Sequence, residues 1–292
     1  MQSGMTTKVG VFVGLVYILY QAFNFFMAPA SDAPQSPSGD SVVIEEQDFD
    51  LDVLMPSGKN NQIVKHKFYT LNYNEKYEVP DWIVHEIDRN RLNANRVDRT
   101  DDFRRDPKVH STSAEREDYK RSGYDRGHLV PAGDMAFSRD AMSETFYMSN
   151  MTPQVHSFNT GIWRELEENV RDWARKFKHV YVATGPVLTK EPIDYIGRND
   201  VAVPHSFYKI IVDLSEPELK GIGFIIPNKV SYQPLSVYSA SIDEVEQVTG
   251  IDFFPNLMED DIEAEIEANY DMDAWTVSKR RFQLRKDKWN KR

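Results

Sequence analysis

Hydrophobic and polar positions divide the chain into zones. Residues 9–27 are nearly all apolar, broken only by Gln21 and Asn24, and about 20 such residues suffice to cross a bilayer as a helix. From Ala28 to about Asp50, proline, serine, aspartate and glycine replace the large apolar side chains, which predicts a flexible tether. Alternation then sets in. Residues 68–73 and 82–87 read as neighbouring strands, and 179–183, 201–214 and 221–227 as three more β-rich runs bounded by glycine, proline or charge. Between the two groups Ile162, Leu166, Val170, Trp173, Ala174 and Phe177 recur at helical spacing, which predicts an amphipathic helix from about Gly161. After Leu257 the chain turns acidic, then basic from Lys279 to Arg292; it reads as a solvated tail, with Ile262 and Ile266 as the residues able to pin it. The expected organisation is therefore an anchor or signal segment (1–30), a linker (31–62), a sheet-dominated domain (63–257) and a tail (258–292).

Lys8 before the apolar run and Asp32, Asp40, Glu45 and Glu46 after it place the N-terminus in the cytosol and the rest across the membrane. Ala28-Pro29-Ala30 resembles a cleavage site, but the run is longer than the roughly 7–15 residues of a cleaved signal, so an uncleaved signal-anchor is expected. A net charge of −11 argues against a broad basic surface, which makes any nucleic-acid site local. The absence of cysteine excludes disulfides, thiolate metal sites and cysteine nucleophiles.

Candidate chemistry concentrates in Tyr124-Asp125-Arg126-Gly127-His128, in Tyr147-Met148-Ser149-Asn150-Met151-Thr152-Pro153-Gln154, and in Asn159, Trp163 and Glu167. Phosphodiester hydrolysis needs a base, a divalent cation and donors for the phosphoryl charge. An imidazole with an unperturbed pKa of about 6.5 supplies the base. Gly127 allows a tight turn presenting His128 and Arg126 to one phosphate. Asn159 offers a hard oxygen suited to Mg²⁺, which accepts as few as one or two protein ligands. Glu167 lies two helical turns further on, where it could hold a metal-bound water, although spacing alone favours an exposed helix carboxylate beside Glu165 and Glu168.

These motifs, with the Arg99-Thr100-Asp101-Asp102-Phe103 block upstream and Thr184-Gly185-Pro186, Val201-Ala202-Val203-Pro204 and Phe253-Phe254-Pro255-Asn256-Leu257 downstream, resemble the DNA/RNA non-specific endonuclease family over roughly residues 65–257. The resemblance implies an α+β, ββα-metal nuclease fold, a central antiparallel sheet flanked by helices. It implies His128 as general base, Asn159 as the direct Mg²⁺ ligand (with Mn²⁺ as a substitute), Glu167 orienting metal waters, and Arg99 and Arg126 gripping the scissile phosphate. Asn150 matches an asparagine near the active site, and Asp125 stands one step behind it. The implied products carry 5′-phosphates, the substrates are DNA and RNA, and the candidate partners are a second copy of the chain and an inhibitor protein. Asn150-Met151-Thr152 is the chain's N-glycosylation sequon and falls inside the motif, which disfavours a secretory route. It leaves a bacterial envelope, the expected location, or a mitochondrial membrane.

Two alternatives stay open. One is an exonuclease of the same family, in which serine precedes Arg-Gly-His; Asp125 favours the endonuclease. The other is a catalytically silent nucleic-acid-binding membrane protein, against which His128 and Asn159 are both present.

Overall fold

The computed structural model describes residues 50–111 and 113–291. The expected span at 9–27 and most of the linker lie outside them; among the described residues no helix is long and apolar enough to cross a membrane. Eleven strands are formed: β1 (Gln62–Lys65), β2 (Thr70–Asn74), β3 (Val79–Asp88), β4 (Asp125–His128), β5 (Met151–Gln154), β6 (His179–Pro186), β7 (Asp194–Ile196), β8 (Val201–Val203), β9 (Ser206–Asp213), β10 (Lys220–Pro227) and β11 (Ser239–Ala240). Seven make one sheet in the order β1-β2-β3-β6-β9-β10-β11, with every pairing antiparallel. The α-helices among the described residues are α1 (Arg89–Asn93), α2 (Arg139–Glu144), α3 (Arg164–Phe177), α4 (Ile242–Thr249), α5 (Asp260–Ala268) and α6 (Lys279–Asp287). This is the expected α+β architecture.

Expected and observed strands agree wherever apolar residues set the pattern, β2 and β3 being paired neighbours as predicted. The run 201–214 is two strands, because Pro204 ends β8 before the chain turns into β9. Helix α3 buries Leu166, Val170, Trp173 and Ala174 against the sheet, where Trp173 stacks on Phe224 of β10. Its approach differs from the expected helix start. Phe158–Trp163 forms a π-turn with non-helical φ/ψ at Gly161, and regular α geometry begins only at Arg164.

The body extends past its expected limits at both ends. Residues 51–54 form a 3₁₀ turn that buries Leu54, and Ser57 bridges Asp252. Residues 258–291 are docked, not a solvated tail. Ile266 packs on Gly221 of β10, and Trp275, fully buried, meets Trp173 and Phe177 edge-on at 5.1 and 5.5 Å. The composition misled because two tryptophans and a few aliphatics suffice to seat a charged segment. Two of its basic side chains are paired internally, Arg281 with Glu168 and Asp172 and Arg285 with Glu165.

Trp275→Ala should therefore behave as a core truncation, lowering unfolding free energy by about 3–5 kcal/mol in urea titration. A loss within about 0.5 kcal/mol, as for a surface site, would show the segment to be a loose tail.

Candidate active site

Strands β4 and β5 form a two-stranded ribbon in which Arg126 faces Pro153, Gly127 faces Thr152 and His128 faces Met151. Gly127 has no positive φ. Its glycine is required by space, since a Cβ there would overlap the Gln154 side chain, and the tight turn expected from the sequence is replaced by extended backbone. Alternation along β4 puts Arg126 and His128 on the face opposite Asp125 and Gly127.

On that face two aromatic rings organise the cations. Phe103 and Phe146 pack edge-to-face at 4.9 Å, and the His128 ring stands edge-on to both, at 5.9 and 5.0 Å. The Arg126 guanidinium lies over Phe103 at 4.4 Å and that of Arg99 over Phe146 at 4.6 Å. Burial, then the nearby Arg99 and Arg126 charges, lower the His128 pKa to about 3. The imidazole is thus neutral across the physiological range. His128 Nε2 and Arg126 Nε are both buried without a hydrogen-bond partner, whereas exposed Arg99 is tied to Asp101 at 2.6 Å. The role of the aromatic pair was missed in the sequence; Phe103 stood inside a quoted motif, but nothing in it signalled a platform.

The π-turn is fastened to β4 by two bonds. Trp163 Nε1 donates to the His128 carbonyl at 3.4 Å, and Asn159 Nδ2 donates to Asp125 Oδ2 at 2.9 Å. His156 Nδ1 shares that carboxylate oxygen at 2.8 Å. Asp125 therefore fixes which way the Asn159 amide points, and no hydrogen bond engages Asn159 Oδ1 among the described residues. A hard, oriented, unengaged amide oxygen fits a Mg²⁺ ligand. Sets of three acidic side chains close enough to share an ion lie elsewhere, around Glu246, Glu263 and Glu267.

Asn150 is fully buried and structural in its contacts. Its Oδ1 accepts from Val130 N at 2.9 Å, and its Nδ2 donates to the carbonyls of Val130 (3.0 Å) and Thr145 (2.8 Å). With Leu129 N donating to the Asn150 carbonyl, it locks the chain just after His128.

Glu167 is half-buried, and the two-turn argument that aligned it with Asn159 does not apply, because the π-turn interrupts the α-helical spacing. It neighbours Arg171, Lys209 and Asp134 in a buried polar layer, where burial raises its pKa against the pull of the two cations. Lys209 reaches Thr184 Oγ1 at 2.6 Å and the Leu129 carbonyl at 3.5 Å, and Asp134 binds Arg171 at 2.8 Å and His85 at 3.4 Å. Nothing in the primary structure marked this layer, since its members come from five distant segments.

The family model for DNA/RNA non-specific endonucleases matches residues 51–260. The chain belongs to that family. It is 31% identical over 269 residues to the mitochondrial nuclease EXOG of Mus musculus, covering 85% of this chain and 71% of the relative. It is 33% identical over 210 residues to the mitochondrial endonuclease G of Homo sapiens, covering 68% of this chain and 71% of that one. A crystal structure of an EndoG/EndoGI complex, titled for the mechanism of EndoG inhibition, superposes with a TM-score of 0.64 at 35% identity, covering 68% of this chain and 88% of the other. The protein is a non-specific nuclease, a hydrolase of phosphodiester bonds with the ββα-metal fold, and divalent-metal dependence is general in that family.

A depressed folded pKa means that the unfolded chain, with a histidine pKa of about 6.5, takes up a proton that the native site refuses. The stability contributed by neutral His128 is accordingly present above about pH 6.5 and lost as pH falls below it. In the metal-free protein, NMR of labelled histidine should show the His128 ring neutral from pH 8 down to at least about 5. A midpoint near 6.5 would contradict the described burial.

Proposed function

We propose that the protein is a metal-dependent endonuclease of DNA and RNA, using His128 as general base and Asn159 as the metal ligand. The observation that carries this reading is the neutral, desolvated His128 held between Arg99 and Arg126 on the Phe103–Phe146 pair, with Arg126 Nε unpartnered. With Nε2 turned into the protein, Nδ1 is the ring nitrogen that takes the proton from water. The resulting hydroxide attacks phosphorus in line, and the two guanidinium groups hold the phosphoryl oxygens as negative charge grows on them. Mg²⁺, when bound, would supply Lewis acidity at the departing oxygen; departure of the 3′ oxygen would leave a 5′-phosphate. Asn159 would hold the ion through Oδ1, with Asp125 fixing the amide. Glu167 would act through water. Asn150 sets the backbone after His128 and does not touch substrate.

All the proposed contacts reach phosphate and none reads a base edge, which accounts for tolerance of sequence and sugar. Among the relatives, names such as mitochondrial endonuclease G and the mitochondrial nuclease of Saccharomyces cerevisiae favour the mitochondrion over the bacterial envelope. The membrane anchor at residues 9–27 rests on the apolar run alone. The EndoG/EndoGI complex supports an inhibitor protein as a partner class.

Supercoiled plasmid decides between endonuclease and exonuclease, because a closed circle has no end. Wild type should nick and linearise it with Mg²⁺ and not with EDTA. His128→Ala should be slower by roughly 100- to 10,000-fold, and Asn159→Ala should fail at Mg²⁺ levels that saturate wild type. Intact circles alongside degraded linear DNA would establish the exonuclease, and inertness of both would leave the silent binder.

A further inference from the structure

The segment after α5 runs antiparallel along α3, and its contacts step from one end of that helix to the other. Trp275 packs on Trp173 and Phe177 at the far end. Trp173 Nε1 then donates to the Thr276 carbonyl at 2.9 Å, and Ser278 N to Asn169 Oδ1 at 3.0 Å. Arg281 bridges Asp172 and Glu168 at 2.5 and 3.0 Å. Arg285 meets Glu165 at 2.5 Å with both side chains almost wholly buried. The basic side chains of one strand of the pair thus match the acidic side chains of the other.

The last contacts fall on the π-turn itself. Trp289 is buried beneath the Arg164 guanidinium, 4.2 Å from its ring centre, and its carbonyl accepts from Thr160 Oγ1 at 3.5 Å. Asn290 Oδ1 is buried without a partner and lies where a Cβ on Gly161 would come within 2.6 Å of it. Asn290 Nδ2 is fixed by the Ser231 carbonyl at 2.8 Å, and Arg285 holds the same carbonyl at 2.7 Å and that of Gln233 at 2.6 Å. Asn159 stands one residue before Thr160 and two before Gly161. A π-turn has lost the regular bonding of an α-helix, so its shape depends on what packs against it.

We propose that Trp289, backed by Arg285 and Asn290, is a positioning residue for the metal-holding turn: it clamps Phe158–Trp163 in the conformation that presents Asn159. All three residues lie beyond the 51–260 family match. The inference rests on the reading of Asn159 as the metal ligand.

The test uses the full chain without nucleic acid and follows two signals: Mn²⁺ binding by electron paramagnetic resonance and hydrogen exchange at amides 158–163. The relevant Mn²⁺ site is the one lost in Asn159→Ala. Trp289→Ala should weaken that site roughly 10- to 100-fold, the range for residues that orient a ligand. It should also speed exchange at 158–163 while leaving the cooperative melt intact. Trp289→Phe should restore both signals, and Arg281→Ala, at the distant part of the contact, should change neither. Unchanged exchange at 158–163 in Trp289→Ala overturns the brace. So does faster exchange with undiminished Mn²⁺ binding. If Asn159→Ala binds Mn²⁺ like wild type, the underlying reading of the ligand fails and the proposal goes with it.

Discussion

The Trp163 indole is the joint on which the site depends. Its ring stacks near Phe158 of the π-turn and Phe207 of the central sheet, at 5.3 and 5.7 Å, with the Lys209 ammonium 5.0 Å from its centre. Its single donor reaches the His128 carbonyl. One fully buried residue therefore ties together the sheet, the turn carrying Asn159 and the strand carrying His128. A two-stranded ribbon such as β4–β5 is marginal on its own in water. It keeps its place because indole, sheet and the Asn150 amide hold its backbone from behind, leaving the side chains of Arg126 and His128 free for chemistry.

Electrostatics follow from that rigidity. A chain of net charge −11 repels nucleic acid at long range, and the compensation is local: two guanidinium groups flank a neutral imidazole on an aromatic floor. Aromatic faces hold the arginines without neutralising them, unlike carboxylates, which would. Only Arg99 carries an acidic partner, Asp101, and both side chains of that pair are well exposed, so solvent screens it. Asp101 therefore holds Arg99 only weakly. Arg281 and Arg285, by contrast, are matched internally along α3.

How much of this could be read from the sequence varies with the kind of interaction. Strands β2, β3, β6, β9 and β10 and the body of α3 were legible because burial imposes a period on apolar residues. Strands β4 and β5 were not, since Asp-Arg-Gly-His and Met-Thr-Pro-Gln are short and polar and follow no period; only the family motif marked them. The structure brings Arg99, Arg126 and His128 together on one face and ties Asn159 to Asp125, but these relations could not be read from the sequence. Asp125 orienting the Asn159 amide, and Asn150 acting through backbone bonds, are facts of three-dimensional pairing. The π-turn interrupts the 3.6-residue period on which the expected alignment of Asn159 and Glu167 was built. The layer of Lys209, Arg171, Asp134 and His85 was invisible for a different reason: composition marks charged residues as exposed, and it cannot say which of them a fold will bury in matched groups.

The buried state of Asn150 bears on where such a chain can mature. A glycan on this sequon would be attached at Nδ2, the atom that donates to Val130 and Thr145. Substitution there would remove one amide proton and force a bulky polar group into a position with no solvent exposure. The loop after His128 would lose the bonds that set it, and the ribbon would lose its lock. Because glycosylation acts on chains before folding is complete, the folded state offers no protection. The same three hydrogen bonds that place the proposed base are therefore incompatible with modification of Asn150 at Nδ2.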